Sequence, residues 1–213
     1  MMAKSIHWRI ERPNEFLLKK ILIFPGSQRK QSLNRRLAAH FESLLKQEFY
    51  VEILESDTVD LPLFNQDLEN DSLVIDKVKQ VYQRFFNADG LIVVSPEYNG
   101  SVSPYLKNTV DWISRLPRII AEQGYINPFH GKPMLLASAT PGQSGGVLGL
   151  QSARNVFSYL GGLILAEQVA LPYATDAWED DGSLIDPYLN AYLQQTLKRF
   201  EVVVKSLSIS PQQ

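Results

Sequence analysis

The sequence predicts one doubly wound α/β domain, a mostly parallel sheet with helices on both faces. Three observations predict it. Apolar runs alternate with amphipathic, helix-period stretches along most of the chain. The apolar runs are nearly continuous, as in strands covered on both faces. Polar, glycine-bearing loops follow the first, third and fourth runs, and no repeat or linker divides the chain.

Each element follows in order. KKILIFPG reads as a buried strand ending on Gly26, and Leu33, Leu37, Phe41, Leu44 and Leu45 recur at helical spacing behind it. VEILE, residues 51 to 55, is a second short strand, followed by the turn-rich DLPLFNQDLEND. A second helix spans about 72 to 87, with Val74, Val78, Val81 and Phe85 on one face. ADGLIVVSPEYNG is a third strand running into a polar turn, and a third helix starts near Pro104. KPMLLASAT is strand four, residues 147 to 160 helix four, GGLILAEQVAL strand five and residues 187 to 207 the last helix. Parallel strands need helical crossovers between them, and these supply them. The domain takes residues 19 to 207. Residues 1 to 18 form an extension, either an ordered arm or a loose one, with a Pro13-Asn14 turn before the core.

Composition narrows the function. The chain has 213 residues, 45% hydrophobic and 21% charged, enough for one well-buried core. The balance of 21 basic and 23 acidic residues argues against a nucleic-acid binder. With no cysteine there is no disulfide, thiolate metal site or cysteine nucleophile, which suits a reducing cytoplasm. The N-terminus lacks a secretory apolar region, and no run reaches the roughly 20 apolar residues that cross a bilayer.

In a doubly wound sheet, ligands bind beyond the carboxyl ends of the strands. The loop Gly26-Ser27-Gln28-Arg29-Lys30-Gln31-Ser32-Leu33-Asn34 lies there, before a helix N-terminus. Free N–H groups and the helix dipole make such a turn an anion site. Ser27, Ser32 and Asn34 add neutral donors and Arg29 a charged fork. The loop matches neither a triphosphatase P-loop nor the dinucleotide fingerprint, so a single phosphate is the natural load. The plain alternative has Ser32 as a helix cap, Arg29 solvated and Gly26 as a turn residue.

The second loop, SPEYNGSVSPYLKNTVDWISR at 95 to 115, resembles the hallmark segment of the NADPH-dependent FMN reductase family. That family is flavodoxin-like and includes quinone, azo and chromate reductases. The first loop resembles its Gly-Ser-x-Arg-x-x-Ser-x-Asn phosphate motif, and the likeness covers about residues 19 to 170. The resemblance implies a five-stranded sheet in the order 2-1-3-4-5. It also implies FMN as cofactor, its phosphate at Ser27, Arg29, Ser32, Leu33 and Asn34, and its ribityl chain and ring along Pro96, Glu97, Tyr98, Asn99 and Gly100. Pro96 fixes φ and Gly100 permits an unusual backbone, so a rigid turn can approach a ring closely. Backbone N–H groups there can stabilise reduced flavin, and Tyr98 can form an aromatic wall. The third loop, SATPGQSGGVLGLQSAR at 138 to 154, resembles the family's glycine-rich loop. Gly142, Gly145 and Gly146 there leave little bulk, so that a flat ring or a nicotinamide can approach, and Thr140 stands where the family varies between Ser and Thr, as a further residue against the cofactor. The chain departs from the family at Ser103-Pro104-Tyr105, where Pro-Gly is usual. Tyr105 is expected to reshape the acceptor pocket, which leaves substrate choice open.

Other residues read as structural. His7, His40 and His130 have no partner at ligand spacing, so no metal is expected. The stretch 176 to 182 reads as a solvated acidic loop. Phe129, Tyr125 and Tyr173 read as core or interface, with a pocket wall as the alternative.

The resemblance thus implies an enzyme without catalytic side chains of its own, since the cofactor carries the chemistry. Hydride from NADPH or NADH would pass through FMN to a small-molecule acceptor such as a quinone, azo dye, metal oxyanion or free flavin. The rival is an electron carrier of flavodoxin type, and a net charge of −2 is too small for its acidic docking mode. Arg29, Lys30, Arg35 and Arg36 put positive charge near the site without choosing between the nicotinamides. The family also builds part of each flavin pocket from a neighbouring subunit. That implies a homodimer or homotetramer, with Tyr105, Val110, Trp112 and Ile113 of helix three as the interface.

Overall fold

Residues 18–207 are described by the computed structural model. The apolar runs form β1 (Lys20–Pro25), β2 (Tyr50–Ile53), β3 (Gly90–Val94), β4 (Pro133–Ala139) and β5 (Leu163–Leu171). The helical stretches form α1 (Leu33–Leu45), α2 (Ser72–Asn87), α3 (Pro104–Ile119), α4 (Val147–Tyr159) and α5 (Pro187–Ser206). Every strand pair is parallel, and the order is β2-β1-β3-β4-β5. β2 begins and ends earlier than VEILE suggests. Leu54 N still donates to Ile23 O at 2.8 Å, and the chain then leaves into a short helical turn at Ser56–Thr58. The extension read at residues 1 to 18 lies outside the described residues, apart from Leu18.

Local chemistry starts the helices. Ser32, Asp71, Ser103 and Asp186 each accept a hydrogen bond from an N–H of the turn that follows, and Pro104 and Pro187 open their helices. α4 differs. Gly146 precedes it at φ 86° and supplies no side-chain cap.

The continuous strands serve two cores by alternation. Leu22, Phe24, Leu91, Val93, Met134 and Leu136 face α2, α3 and α4. Ile21, Ile23, Ile92, Val94, Leu135 and Ala137 face α1 and α5. This two-sided burial is why the strands carry no polar alternation.

The apolar face of α3 is a correction. Val110, Trp112 and Ile113 are fully buried inside this chain, so they do not form a surface for another copy. The face packs on α2 and on the segment after β2. Trp112 Nε1 and Asn108 Nδ2 both donate to Pro62 O, at 2.8 and 3.0 Å, and Asn108 Oδ1 accepts from Phe64 N at 2.7 Å. Arg115 pairs with Glu69 at 2.6 Å. The acidic stretch is solvated at Asp176, Glu179, Asp180 and Asp181, as read, with one exception. Its Trp178 turns inward, with Nε1 donating to Ala174 O at 2.8 Å, and lies under the Arg36 guanidinium and edge-on to His40.

Candidate functional site

Parallel strands send their carboxyl ends to one edge of the sheet, so the loops after β1, β3 and β4 meet there. The first loop is pinned at its root. Gly26 N donates to Val94 O at 2.9 Å, and the Ser103 hydroxyl donates to Gly26 O. A Cβ at Gly26 would lie 3.0 Å from Leu106 Cδ1, so a larger residue there would have to push the Leu106 side chain aside. Ser103 also caps α3, which gives the departure from Pro-Gly a structural use: it joins the first loop to the second.

Ser27 and Ser32 are buried, whereas Gln28, Arg29, Lys30 and Gln31 are exposed. Ser27 Oγ accepts from Arg29 N at 3.3 Å, and Ser32 Oγ accepts from Asn34 N at 3.2 Å as the cap of α1. Arg29 and Lys30 make no ion pair among the described residues. Arg35 is taken up by Glu55 and Ser56, and Arg36 by Trp178. Arg36 keeps its charge over that ring, so Arg29, Lys30 and Arg36 carry positive charge without an ion pair among the described residues, beside the N-terminus of α1.

Asn34 has another task than the sequence suggests. Its Nδ2 donates to Ala139 O at 2.9 Å and its Oδ1 accepts from Ala139 N at 3.0 Å. The side chain is buried and ties α1 to the end of β4, so it fixes the loop instead of pointing a donor at an anion.

The second loop is a tight turn. Tyr98 N donates to Ser101 O at 2.9 Å, and Ser101 N to Tyr98 O at 3.0 Å. Asn99 at φ 52° and Gly100 at φ 73° both sit in the left-handed region, the Asn-Gly geometry of a two-residue hairpin. Pro96 is buried beneath it, and the Tyr98 ring stands 45% exposed above it. Glu97 turns sideways, and its Oε2 accepts from Gly149 N of α4 at 2.9 Å.

In the third loop the glycines divide. A Cβ at Gly145 would lie 2.9 Å from the Ala170 backbone, and one at Gly146 would lie 2.1 Å from Ser138 Oγ. Those two glycines let the loop fold back onto β4 and β5, so they do not open space for a ring. Gly142 alone faces open space, with no atom within 4 Å of an added Cβ. Thr140 anchors the loop, its N donating to Leu171 O at 3.1 Å and its Oγ1 to Gly142 O at 3.3 Å.

Two aromatics part company with the first reading. Tyr105, expected at the acceptor pocket, is half-buried and packs its ring into the core. Its ring packs edge-on against Phe24, and its buried hydroxyl finds no partner among the described residues. Burial pushes that phenol's pKa up, against the nearby Arg35. Phe129 is wholly core, whereas Tyr173 is exposed at φ 47° and its N donates to Gly142 O at 3.3 Å. Sequence reasoning also missed Ser103, Gly149 and the Ser101–Ser152 hydroxyl pair at 2.9 Å, which join the loops. Nothing local marks such contacts, since the partners stand 51 to 77 residues apart.

The edge thus has a cationic, hydroxyl-bearing end at a helix N-terminus and a rigid, glycine-bearing end beside an exposed aromatic. A phosphate fits the first and a flat ring the second, as in FMN. Residues 19–176 match the family model of NADPH-dependent FMN reductases. The chain belongs to that family.

Relatives of this FMN reductase chain agree along most of its length. The quinone reductase of Escherichia coli K12 is 30% identical over 146 residues, 68% of this chain and 73% of that protein. The 2-hydroxy-1,4-benzoquinone reductase of a Burkholderia species is 28% identical over 187 residues, 87% and 96% of the two chains. The NAD(P)H:(acceptor) oxidoreductase flavoenzyme of Paracoccus denitrificans has a solved structure that superposes with a TM-score of 0.75. It is 25% identical, covering 88% of this chain and 98% of that one. Membership of the FMN reductases makes this chain an oxidoreductase working with FMN and a reduced nicotinamide, and the carrier alternative falls away.

Proposed function

We propose that the protein transfers two electrons from NADPH or NADH, through FMN held at the sheet edge, to a quinone or a similar flat organic acceptor. The observation that carries this reading is the meeting of three features at one sheet edge. Ser27, Arg29 and Ser32 stand at the N-terminus of α1, and beside them lie a rigid left-handed turn with an exposed Tyr98 and the open Gly142. The relatives named as quinone reductases support the acceptor class.

FMN, when bound, supplies a ring that takes up hydride and passes its electrons on. The chain's own residues bind and orient. Ser27, Arg29 and Ser32 hold the phosphate, with Leu33 and Asn34 fixing the helix start behind them. Pro96, Glu97, Tyr98, Asn99 and Gly100 would lie along the ribityl chain and ring on one side, and Thr140 and Gly142 on the other, with Gly145 packed behind them on β5. The backbone N–H groups of the Asn99–Gly100 turn would stabilise negative charge on a reduced ring, as preorganised donors do. Donor and acceptor would meet the flavin in turn at one site, which gives ping-pong kinetics. A quinone gains two electrons and two protons, of which hydride brings both electrons and one proton and water the other. The protein acts in the cytoplasm as a homodimer or homotetramer.

A steady-state panel tests this: NADPH and NADH, each against benzoquinone, a naphthoquinone, an azo dye, chromate, free FMN and ferricyanide. The expected result is a yellow protein with parallel double-reciprocal lines and the highest kcat/KM for quinones. A colourless protein that consumes neither nicotinamide overturns the reading.

A further inference from the structure

Glu97 lies in the Pro96–Gly100 turn, and its carboxylate is directed at α4. It accepts from Gly149 N at 2.9 Å, in the first turn of that helix. Gly146 brings no side-chain cap there, so the second loop supplies an acceptor that the helix's own start lacks. The negative charge also meets the positive end of the helix dipole. Gly149 makes the approach possible, because a Cβ there would lie 3.0 Å from Glu97 Cβ and 3.1 Å from its Cα. The Ser101–Ser152 pair repeats the tie one turn further along α4.

We propose that Glu97 is a positioning residue, which caps α4 from the neighbouring loop and so fixes the Pro96–Gly100 turn against the start of that helix. It acts on the flavin through Asn99 and Gly100, which follow it in the same turn, and does not itself contact the ring. The inference rests on the flavoenzyme reading above. A charged acceptor facing a backbone N–H forms the stronger kind of hydrogen bond, which suits a fixed spacer.

Three variants test it: Glu97→Ala, Glu97→Gln and Gly149→Ala. Amide hydrogen exchange at 146–150 reads the tie in protein stripped of FMN, where no flavin chemistry intervenes. Visible circular dichroism of bound FMN and NADPH:benzoquinone turnover read its consequence. Glu97→Ala is expected to speed exchange at Gly149 about tenfold or more, the loss of one charged hydrogen bond. It should also alter the visible band and lower kcat/KM about tenfold, while the Kd for FMN moves less than about threefold. Glu97→Gln keeps an oxygen at the same reach and should restore most of the protection and the visible band. Gly149→Ala, ordinarily favourable inside a helix, should reproduce the Glu97→Ala defects from the other side of the contact.

Unchanged exchange at Gly149 in Glu97→Ala overturns the proposal, as does Gly149→Ala with a native band and native turnover. An FMN Kd weakened more than about tenfold in Glu97→Gln makes Glu97 a direct ligand and also overturns it. If the wild-type protein bound no FMN at all, the functional reading would fall, whereas the exchange measurement would still report on the tie.

Discussion

At the residue scale, side chains of similar type have been put to different uses by their surroundings. Ser32 and Asn34 both read as anion donors, yet Ser32 stays at the loop's mouth as a cap and Asn34 is consumed by β4. Removing the groups that remain available is therefore the sharper test of phosphate binding. Arg29→Ala with Ser32→Ala should weaken FMN by about 2–4 kcal/mol, from one charged and one neutral hydrogen bond. Fluorescence titration with FMN measures it, and an unchanged Kd would remove the phosphate from this loop. Lys132 is a residue with no part in the site. Its buried Nζ reaches the carbonyls of Phe85 and Phe86 at the end of α2. Burial lowers its pKa from 10.5 to about 7, with Asp89 opposing and Lys20 adding to the shift. The folded state thus releases this proton first, so between about pH 7 and 10.5 the unfolded chain binds more protons and stability rises with pH. Urea midpoints at pH 7 and 9.5 should show that rise, and Lys132→Met should flatten it.

At the element scale, the β3–α3 turn owes its shape to two consecutive left-handed residues. Asn99 tolerates that region and Gly100 occupies it freely. The nearest atom to a Cβ at Gly100 is Leu148 Cδ1 at 3.7 Å, so a side chain finds room and the backbone alone resists. A β-branched residue at φ 73° is strained by on the order of 1–3 kcal/mol, which the turn relieves by shifting. We expect Gly100→Val to lose on the order of 10²-fold in NADPH oxidation. Far-ultraviolet circular dichroism should stay native, and FMN should bind more weakly but still bind, because the phosphate loop is untouched. Turnover equal to wild type would reduce the turn to a connector. The neighbouring α3 shows how an element can carry a signature for packing: Asn108 and Trp112 hold the Pro62–Phe64 backbone, which keeps the β2–α2 connection against the core.

At the scale of the whole molecule, three ties hold the site-forming loops as one unit. Ser103 joins the second loop to the first, Glu97 and Ser101 join it to α4, and Asn34 joins α1 to β4. Loops fixed in this way are organised before any ligand arrives, which limits the ordering that binding must impose. Exposed apolar groups on α4 and the edge strand, among them Leu148, Tyr159 and Leu163, are the surface that the proposed homo-oligomer would cover, since the apolar face of α3 is internal. Light scattering at micromolar concentration should report a dimer or tetramer. A fully active monomer would refute the assembly.

The sequence by itself determined the parallel sheet, because two-sided burial demands continuous apolar runs and the crossovers demand helices of legible period. It also located the loop edge and, through two motifs, the family. Those signals are local: strand composition, helix spacing, and an Asn-Gly turn whose left-handed backbone follows from its residues. Only the tertiary structure decided which polar groups remain free. Asn34, Glu97 and Arg35 look like ligands in the chain and prove to be bound by Ala139, Gly149 and Glu55. It likewise turned the face of α3 inward and gave Gly145 and Gly146 to packing. The physical reason is the same in each case. A hydrogen bond or a close contact has two partners, and the second partner comes from a distant strand or helix that the fold alone brings near.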